Sequence, residues 1–219
     1  MKNVLLTGTN GTVATALKQE LSETYNMTGI SLLRMDAVIG DVGQLEEPTW
    51  TAQMAEYRTR LMEQLTTALR GVDCFVHLGW NTRGENMSRG LDPLNLLQTD
   101  CAYLAAIEEK VPRIYMASSV NAYDFFPVLD KNIDPVTPYP DTHEDPYGHK
   151  PTSLYGISKR WMEMAGQFYV PQLHPGQKIM AVRLGGVNAK DTPGAEPGDP
   201  RRRLWCSYRD CAGLLRAFI

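Results

Sequence analysis

At 219 residues, with 43% hydrophobic and 21% charged residues, the chain is long enough for one domain with a sizeable core. A formal net charge of −3 offers no basic excess for nucleic acid, and no charge block suggests a disordered tail. No apolar run approaches the length of a membrane span, and Met1 leads so directly into an apolar segment that no signal peptide is expected.

The first element expected is a strand at Val4–Leu6, followed by a glycine turn (Thr7 to Gly11) and a helix whose apolar residues Val13, Ala16, Leu17 and Leu21 recur at helical spacing. A second strand is expected at Thr28–Leu33 with Arg34 at its end, and a short third at Ala37–Ile39. A helix carrying Trp50, Met54, Tyr57, Leu61, Leu65 and Leu69 follows, ending at Gly71. Cys74–Leu78 reads as a fourth strand, Leu94–Glu109 as a helix, and Arg113–Ala117 as a fifth strand leading into Ser118 and Ser119. Ser153 to about Val170 is helical by its stripe of Leu154, Ile157, Trp161, Ala165 and Phe168. Ile179–Leu184 is a sixth strand and Ser207–Ile219 a closing helix. Apolar strands alternating with helices predict an α/β fold, a Rossmann-like three-layer sandwich around a doubly wound parallel sheet. Two long loops, at about 124–152 and 188–206, follow strand carboxyl ends, where such sheets bind ligands. One domain is expected over 1–219, with these loops and a short C-terminal region on the substrate side.

Two groups of residues carry chemistry. In the glycine turn the spacing is Gly8, Gly11, Ala14. Gly8 permits the tight turn, Gly11 admits a pyrophosphate close to the backbone, and the helix opening near Thr12 offers N–H groups and a positive dipole end to that anion. Tyr155 and Lys159 stand four apart on one helix face. A tyrosine is a poor base at neutral pH, and a neighbouring ammonium is expected to favour its phenolate. Ser119, just after a central strand, can reach the same place and help hold a substrate hydroxyl while its proton is removed. His77 reads as a packed core residue. His143, His149 and His174 have no metal-ligand spacing, and Asp141, Glu144 and Asp145 read as a solvated loop. The four cysteines, Cys74, Cys101, Cys206 and Cys211, lack C-x-x-C spacing and read as reduced thiols of a cytoplasmic protein.

The segments TGTNGTVA, HLGW, ASSVNAY, SLYGISK and VRLGGVN, in this order and nearly spanning the chain, resemble the extended short-chain dehydrogenase/reductase superfamily, the NAD-dependent epimerase/dehydratase family. Within it the chain looks most like the uronate dehydrogenases, through HLG, the run Pro151–Lys159, and the arginines before Trp205. The resemblance implies NAD or NADP as cofactor, a small sugar or sugar acid as substrate, and a homodimer packed through the helix of Tyr155. Tyr155 is then the base, Ser119 its partner, and Lys159 the ribose ligand. Gly8, Asn10, Gly11, Thr12 and Val13 would hold the pyrophosphate, Asp41 and Val42 the adenine, and Leu78, Gly79 and Trp80 the middle of the cofactor. Ser118 would lie toward the nicotinamide, and Leu184 would also contact the cofactor. Thr82, Ser119 and Asn121 would touch substrate, and Arg201, Arg202 or Arg203 would grip its carboxylate, which suits a guanidinium fork.

The chain departs from that pattern at Val120, where uronate dehydrogenases carry asparagine, and at Arg34, where they carry an aspartate for the adenosine ribose. An arginine there would favour the 2′-phosphate of NADP, or simply be solvated. The chain also stops at Ile219, where relatives continue. Two other readings stay open: a nucleotide-sugar epimerase or dehydratase, and a non-catalytic dinucleotide-binding regulator.

Overall fold

The structure, a computed structural model, describes residues 1–34, 47–81, 92–122, 151, 153–199, 202 and 204–219. Its strands are β1 (Asn3–Thr7), β2 (Asn26–Ile30), β3 (Cys74–His77), β4 (Arg113–Ser119) and β5 (Lys178–Leu184). Its helices are α1 (Thr12–Leu21), α2 (Glu47–Leu69), α3 (Pro93–Glu108), α4 (Leu154–Tyr169) and α5 (Tyr208–Phe218). The strands form one parallel sheet in the order β2-β1-β3-β4-β5. The order reverses between β1 and β3, which opens a crevice at their carboxyl ends.

Strand side chains alternate between two cores. Leu5, Phe75, Ile114 and Met116 face α2, α3 and α4, packing with Tyr57, Leu61, Leu65, Ala102 and Met162. Val4, Leu6, Val76, Tyr115 and Ala117 face α1 and α5, packing with Leu17, Leu21, Cys211 and Leu215. Both faces are therefore covered, which is why these strands read as continuous apolar runs. Each fully buried leucine, such as Leu17 or Leu61, contributes roughly 1.5–3 kcal/mol.

The helices begin where their caps dictate. Asp92 accepts from the Leu94 N–H at 2.9 Å, with Pro93 in the first turn of α3. Ser153 caps α4 by accepting from the Gly156 N–H at 3.0 Å. Ser207 and Asp210 form a reciprocal capping box on α5.

One boundary differs from expectation in a way that matters. β2 runs from Asn26 to Ile30, not to Leu33, because Thr7, the last residue of β1, pairs with Ile30 and the chain then turns at Gly8. Arg34 is thus not at the strand end. The expected strand Ala37–Ile39 and the loop Asp124–Thr152, with its histidines and acidic residues, lie outside the described residues, apart from Pro151. Among the described residues no helix is long and apolar enough to cross a membrane, and no cluster of metal-ligating side chains occurs.

Candidate active site

The crevice is shaped by close backbone contact. Gly8 has φ +67°, and a Cβ there would stand 2.8 Å from the Gly79 nitrogen. The segments that follow β1 and β3 can approach this closely only with glycine at position 8, whereas a Cβ at Gly79 would meet Thr7 Oγ1 at 3.2 Å. Thr7 locks the approach: its Oγ1 accepts from the N–H groups of Leu78 at 3.1 Å and Gly79 at 3.0 Å. With both lone pairs taken, its O–H donates to His77 Nδ1 at 3.0 Å. Burial, and then the charge of Lys159, lower the His77 imidazole to about 3, so it is a neutral core residue as expected. Its Nε2 is buried without a hydrogen-bond partner among the described residues. At the start of α1, Gly11 caps with no side-chain acceptor, and no acidic residue occupies the first turn.

The crevice contains two adjoining cavities. One, of about 340 Å³, is lined by Gly8, Asn10, Gly11, Ser31, Leu32, Leu78, Gly79, Trp80 and Gln98. The other, of about 320 Å³, is lined by Gly8, Gly11, Thr12, Val13, Leu78, Trp80, Ser118, Ser119, Tyr155, Lys159, Leu184 and Gly185, among others. A third cavity, of about 500 Å³, lies beyond them, between Ser119, Asn121 and Tyr155 on one side and Gly185–Asn188, Gly194, Ala195, Leu204 and Trp205 on the other. Ser119, Tyr155, Gly185 and Val187 line both the second and the third cavity, so the hydroxyl pair stands at their junction.

The Asn121 N–H donates to Ser119 Oγ at 3.2 Å, and Ser119 stands beside the Tyr155 phenol on the wall shared by the second and third cavities. Gly156 permits this, since a Cβ there would lie 2.1 Å from the Asn121 carbonyl oxygen. Lys159 is buried, its Nζ donating to the Ala117 carbonyl at 2.7 Å and lying 3.7 Å from the Trp80 ring centroid. Burial pushes its ammonium down to about 7, against the pull of Glu163. The electrostatic expectation for Tyr155 is corrected here. Burial raises its phenol above the ordinary value, and the opposing influence is the Ser119 hydrogen bond rather than the lysine charge.

Of the other expected site residues, Ser118 lines the cleft but donates its hydroxyl to Glu163 at 2.5 Å. Arg34 is exposed and lines none of the three cavities, whereas Ser31 and Leu32 do line one. Arg202 donates to the Ala195 carbonyl at 2.9 Å and so braces a wall of the third cavity. Asp41, Val42, Thr82, Arg201 and Arg203 lie outside the described residues. Sequence reasoning did not place Gly185–Asn188 and Trp205 around the third cavity, although the VRLGGVN segment pointed to this strand end.

It also missed Glu163. This carboxylate, 7% exposed, accepts from Ser118, from Arg160 at 3.1 Å, and from Arg183 in a fork of 2.8 and 2.7 Å. Burial raises its pKa, but the bonds from Arg183, Ser118 and Arg160 together outweigh burial and hold it below the ordinary carboxylate range. Glu163→Gln is expected to cost about 2 kcal/mol in urea unfolding at neutral pH. A group held charged in the fold stabilises above its unfolded pKa of about 4.3 and loses that effect as pH falls through the lower folded value. The gap between wild type and variant should therefore close below about pH 4; an equal gap at pH 7 and pH 3 would contradict this assignment.

No protein-family model matches the chain. It is 26% identical over 218 residues to a Haloferax volcanii NAD-dependent glucose-6-phosphate dehydrogenase, covering 99% of this chain and 79% of that protein. It is 25% identical over 231 residues to an L-arabinose 1-dehydrogenase (NAD(P)+) of the same organism, covering 99% and 82%. Among solved structures, a mutated uronate dehydrogenase superposes with a TM-score of 0.53 at 21% identity, over 84% of this chain. The chain spans 59% of the length of that structure. The relatives in sequence are thus NAD-dependent sugar dehydrogenases, and the solved structure shares the fold of a parallel sheet flanked by helices.

Proposed function

We propose that this chain is an extended short-chain dehydrogenase/reductase and acts as an NAD(P)-dependent oxidoreductase of a sugar or sugar acid, with uronates the favoured substrates. The observation that carries this reading is the Ser119–Tyr155 hydroxyl pair at the junction of two cavities, with Lys159 beside it. The residues of the crevice fit a dinucleotide. Glycine at position 8 lets the backbone pass close to Leu78 and Gly79, and the start of α1 at Thr12 and Val13, which has no side-chain cap, suits a pyrophosphate. Asn10, Leu78 and Trp80 would line its middle, and Leu184 and Lys159 its ribose end. When bound, the nicotinamide supplies the hydride acceptor.

The chain's own residues perform the remaining steps. Ser119 and Tyr155 hold the substrate hydroxyl, and the Tyr155 phenolate takes its proton at Oη. Ser119 stabilises the phenolate by donating to it. Lys159, fixed by the Ala117 carbonyl, bears on the same edge of the crevice. The third cavity receives the sugar, with Asn121 on its wall, and the Arg201–Arg203 run supplies the guanidinium for a carboxylate. Arg202, already braced against Ala195, would orient that segment.

The test is absorbance at the reduced-nicotinamide band with NAD or NADP in turn and a panel of uronic acids and aldoses. Reduction with a uronate is expected. Cofactor binding without net reduction by any sugar would exclude the dehydrogenase and move the reading to an epimerase or a binding protein. α4 presents Ile157, Met164 and Phe168, which are 44%, 56% and 68% exposed, on its outer side. That apolar stripe supports a homodimer through this helix. Light scattering at micromolar concentration should read twice the chain mass; a monomer there would remove the idea. The four free cysteines fit a reducing cytoplasmic setting.

A further inference from the structure

We propose that Cys206 and Cys211 form a hydroperoxide-sensitive thiol pair, which closes to a reversible disulfide behind the wall of the third cavity. The two sulfurs lie 3.4 Å apart, one before the cap of α5 and one inside its first turns. Their exposure differs: Cys206 is half-buried and Cys211 is fully buried. An oxidant therefore reaches Cys206 first, and Cys211 is placed to resolve it.

The surroundings of Cys206 favour its thiolate. It directly precedes Ser207, the cap of α5, so it stands at the positive end of that helix. Its pKa is lowered, first by the hydrogen bond it shares with the Cys211 thiol and also by the Gly185 backbone. Burial and the charges of Asp210 and Asp191 oppose this without reversing it. Cys211 is raised, first by its bond with Cys206 and then by burial. The remaining cysteines differ on both counts. Cys74 and Cys101 are fully buried, and burial pushes their thiols up to about 12 and about 11.

The chemistry balances with a hydroperoxide as oxidant. The Cys206 thiolate attacks the peroxide; a sulfur–oxygen bond forms, the oxygen–oxygen bond breaks, and the departing oxygen leaves as alcohol or water after taking a proton. Cys211 then attacks the Cys206 sulfur. The sulfur–sulfur bond forms, the sulfur–oxygen bond breaks, and water leaves with the Cys211 proton. Two thiols lose two electrons and two protons, and the hydroperoxide takes both.

The position ties this pair to the cavity. The Cys206 N–H donates to the Gly186 carbonyl at 3.1 Å, and the Gly186 N–H donates to the Leu204 carbonyl at 2.7 Å. Gly185, Gly186, Leu204 and Trp205 all line the third cavity. A bond to Cys211 fastens this wall to α5.

The experiment treats the full chain with hydrogen peroxide and maps tryptic peptides without reduction. Trypsin cuts after Arg209, between the two cysteines, so the disulfide joins two separate peptides. The expected result is a linked pair of peptides, lost on adding dithiothreitol, with Cys206 consumed at least about tenfold faster than Cys74 or Cys101. Cys211→Ser should leave a Cys206 sulfenic acid that dimedone traps, and Cys206→Ser should leave Cys211 unreacted. Retention of both thiols would overturn the proposal. So would oxidation of Cys74 or Cys101 at the same rate, or conversion of Cys206 to sulfinic acid while Cys211 stays free. None of these readouts depends on the sugar chemistry.

Discussion

Tyr155→Phe is expected to lower turnover by about 10²- to 10⁴-fold, the range that a positioned general base contributes. Cofactor affinity should change only a few-fold. Lys159 keeps its bond to the Ala117 carbonyl and its place over Trp80, and neither depends on the phenol oxygen. The pH dependence carries a sign. Because burial raises the Tyr155 phenol, its phenolate becomes more abundant as pH increases through the alkaline range. Wild-type sugar oxidation should therefore rise from neutral pH upward, and the variant should lose that limb. Steady-state rates from pH 6 to pH 10 check this; a variant that retains the wild-type limb would place the base elsewhere.

Gly156→Ala tests the geometry instead of the chemistry. Intrinsic propensity favours alanine over glycine in a helix by about 1 kcal/mol. Sterics oppose it. The added Cβ would lie 2.1 Å from the Asn121 carbonyl oxygen and 3.1 Å from the Asn121 carbonyl carbon. These are backbone atoms and cannot swing aside as the end of a long side chain does. The Asn121 N–H also holds Ser119, so relief of the clash displaces the serine from the tyrosine. We expect a net loss of about 1–3 kcal/mol in stability and about 10²-fold in turnover. Urea unfolding and kinetics on the same preparation decide it. A more stable protein with wild-type rates would mean that propensity wins and that α4 does not press on Asn121.

Some of the site was legible because its chemistry depends on local order. Strand, glycine turn and helix follow one another from Asn3 to Leu21, and Tyr155 and Lys159 share a helix face at any tertiary arrangement. The alternation of strands and helices likewise announced a parallel sheet, since strands buried on both faces must be apolar throughout. Arg34 does not stand at the strand end because strand length is not a local property. β2 stops at Ile30 where β1 stops at Thr7, whatever apolar residues follow. Glu163 was hidden for a related reason. It shares a helix with Arg160, but Ser118 and Arg183 reach it from β4 and β5, and no spacing along the chain joins the three. The same holds for Gly185 and Trp205, brought together by the parallel bridge of Gly186 to Trp205.

The sequence by itself determined the layer order, the glycine turn after the first strand and the tyrosine–lysine pair, because each follows from periodicity within one or two adjoining elements. Tertiary structure alone decided that Ser119 and Tyr155 stand between two cavities, that burial raises the phenol, and that Cys206 meets Cys211 behind the wall of the third cavity. Burial and the approach of distant backbone are properties of the packed sheet, and they set the electrostatics that residue spacing leaves open.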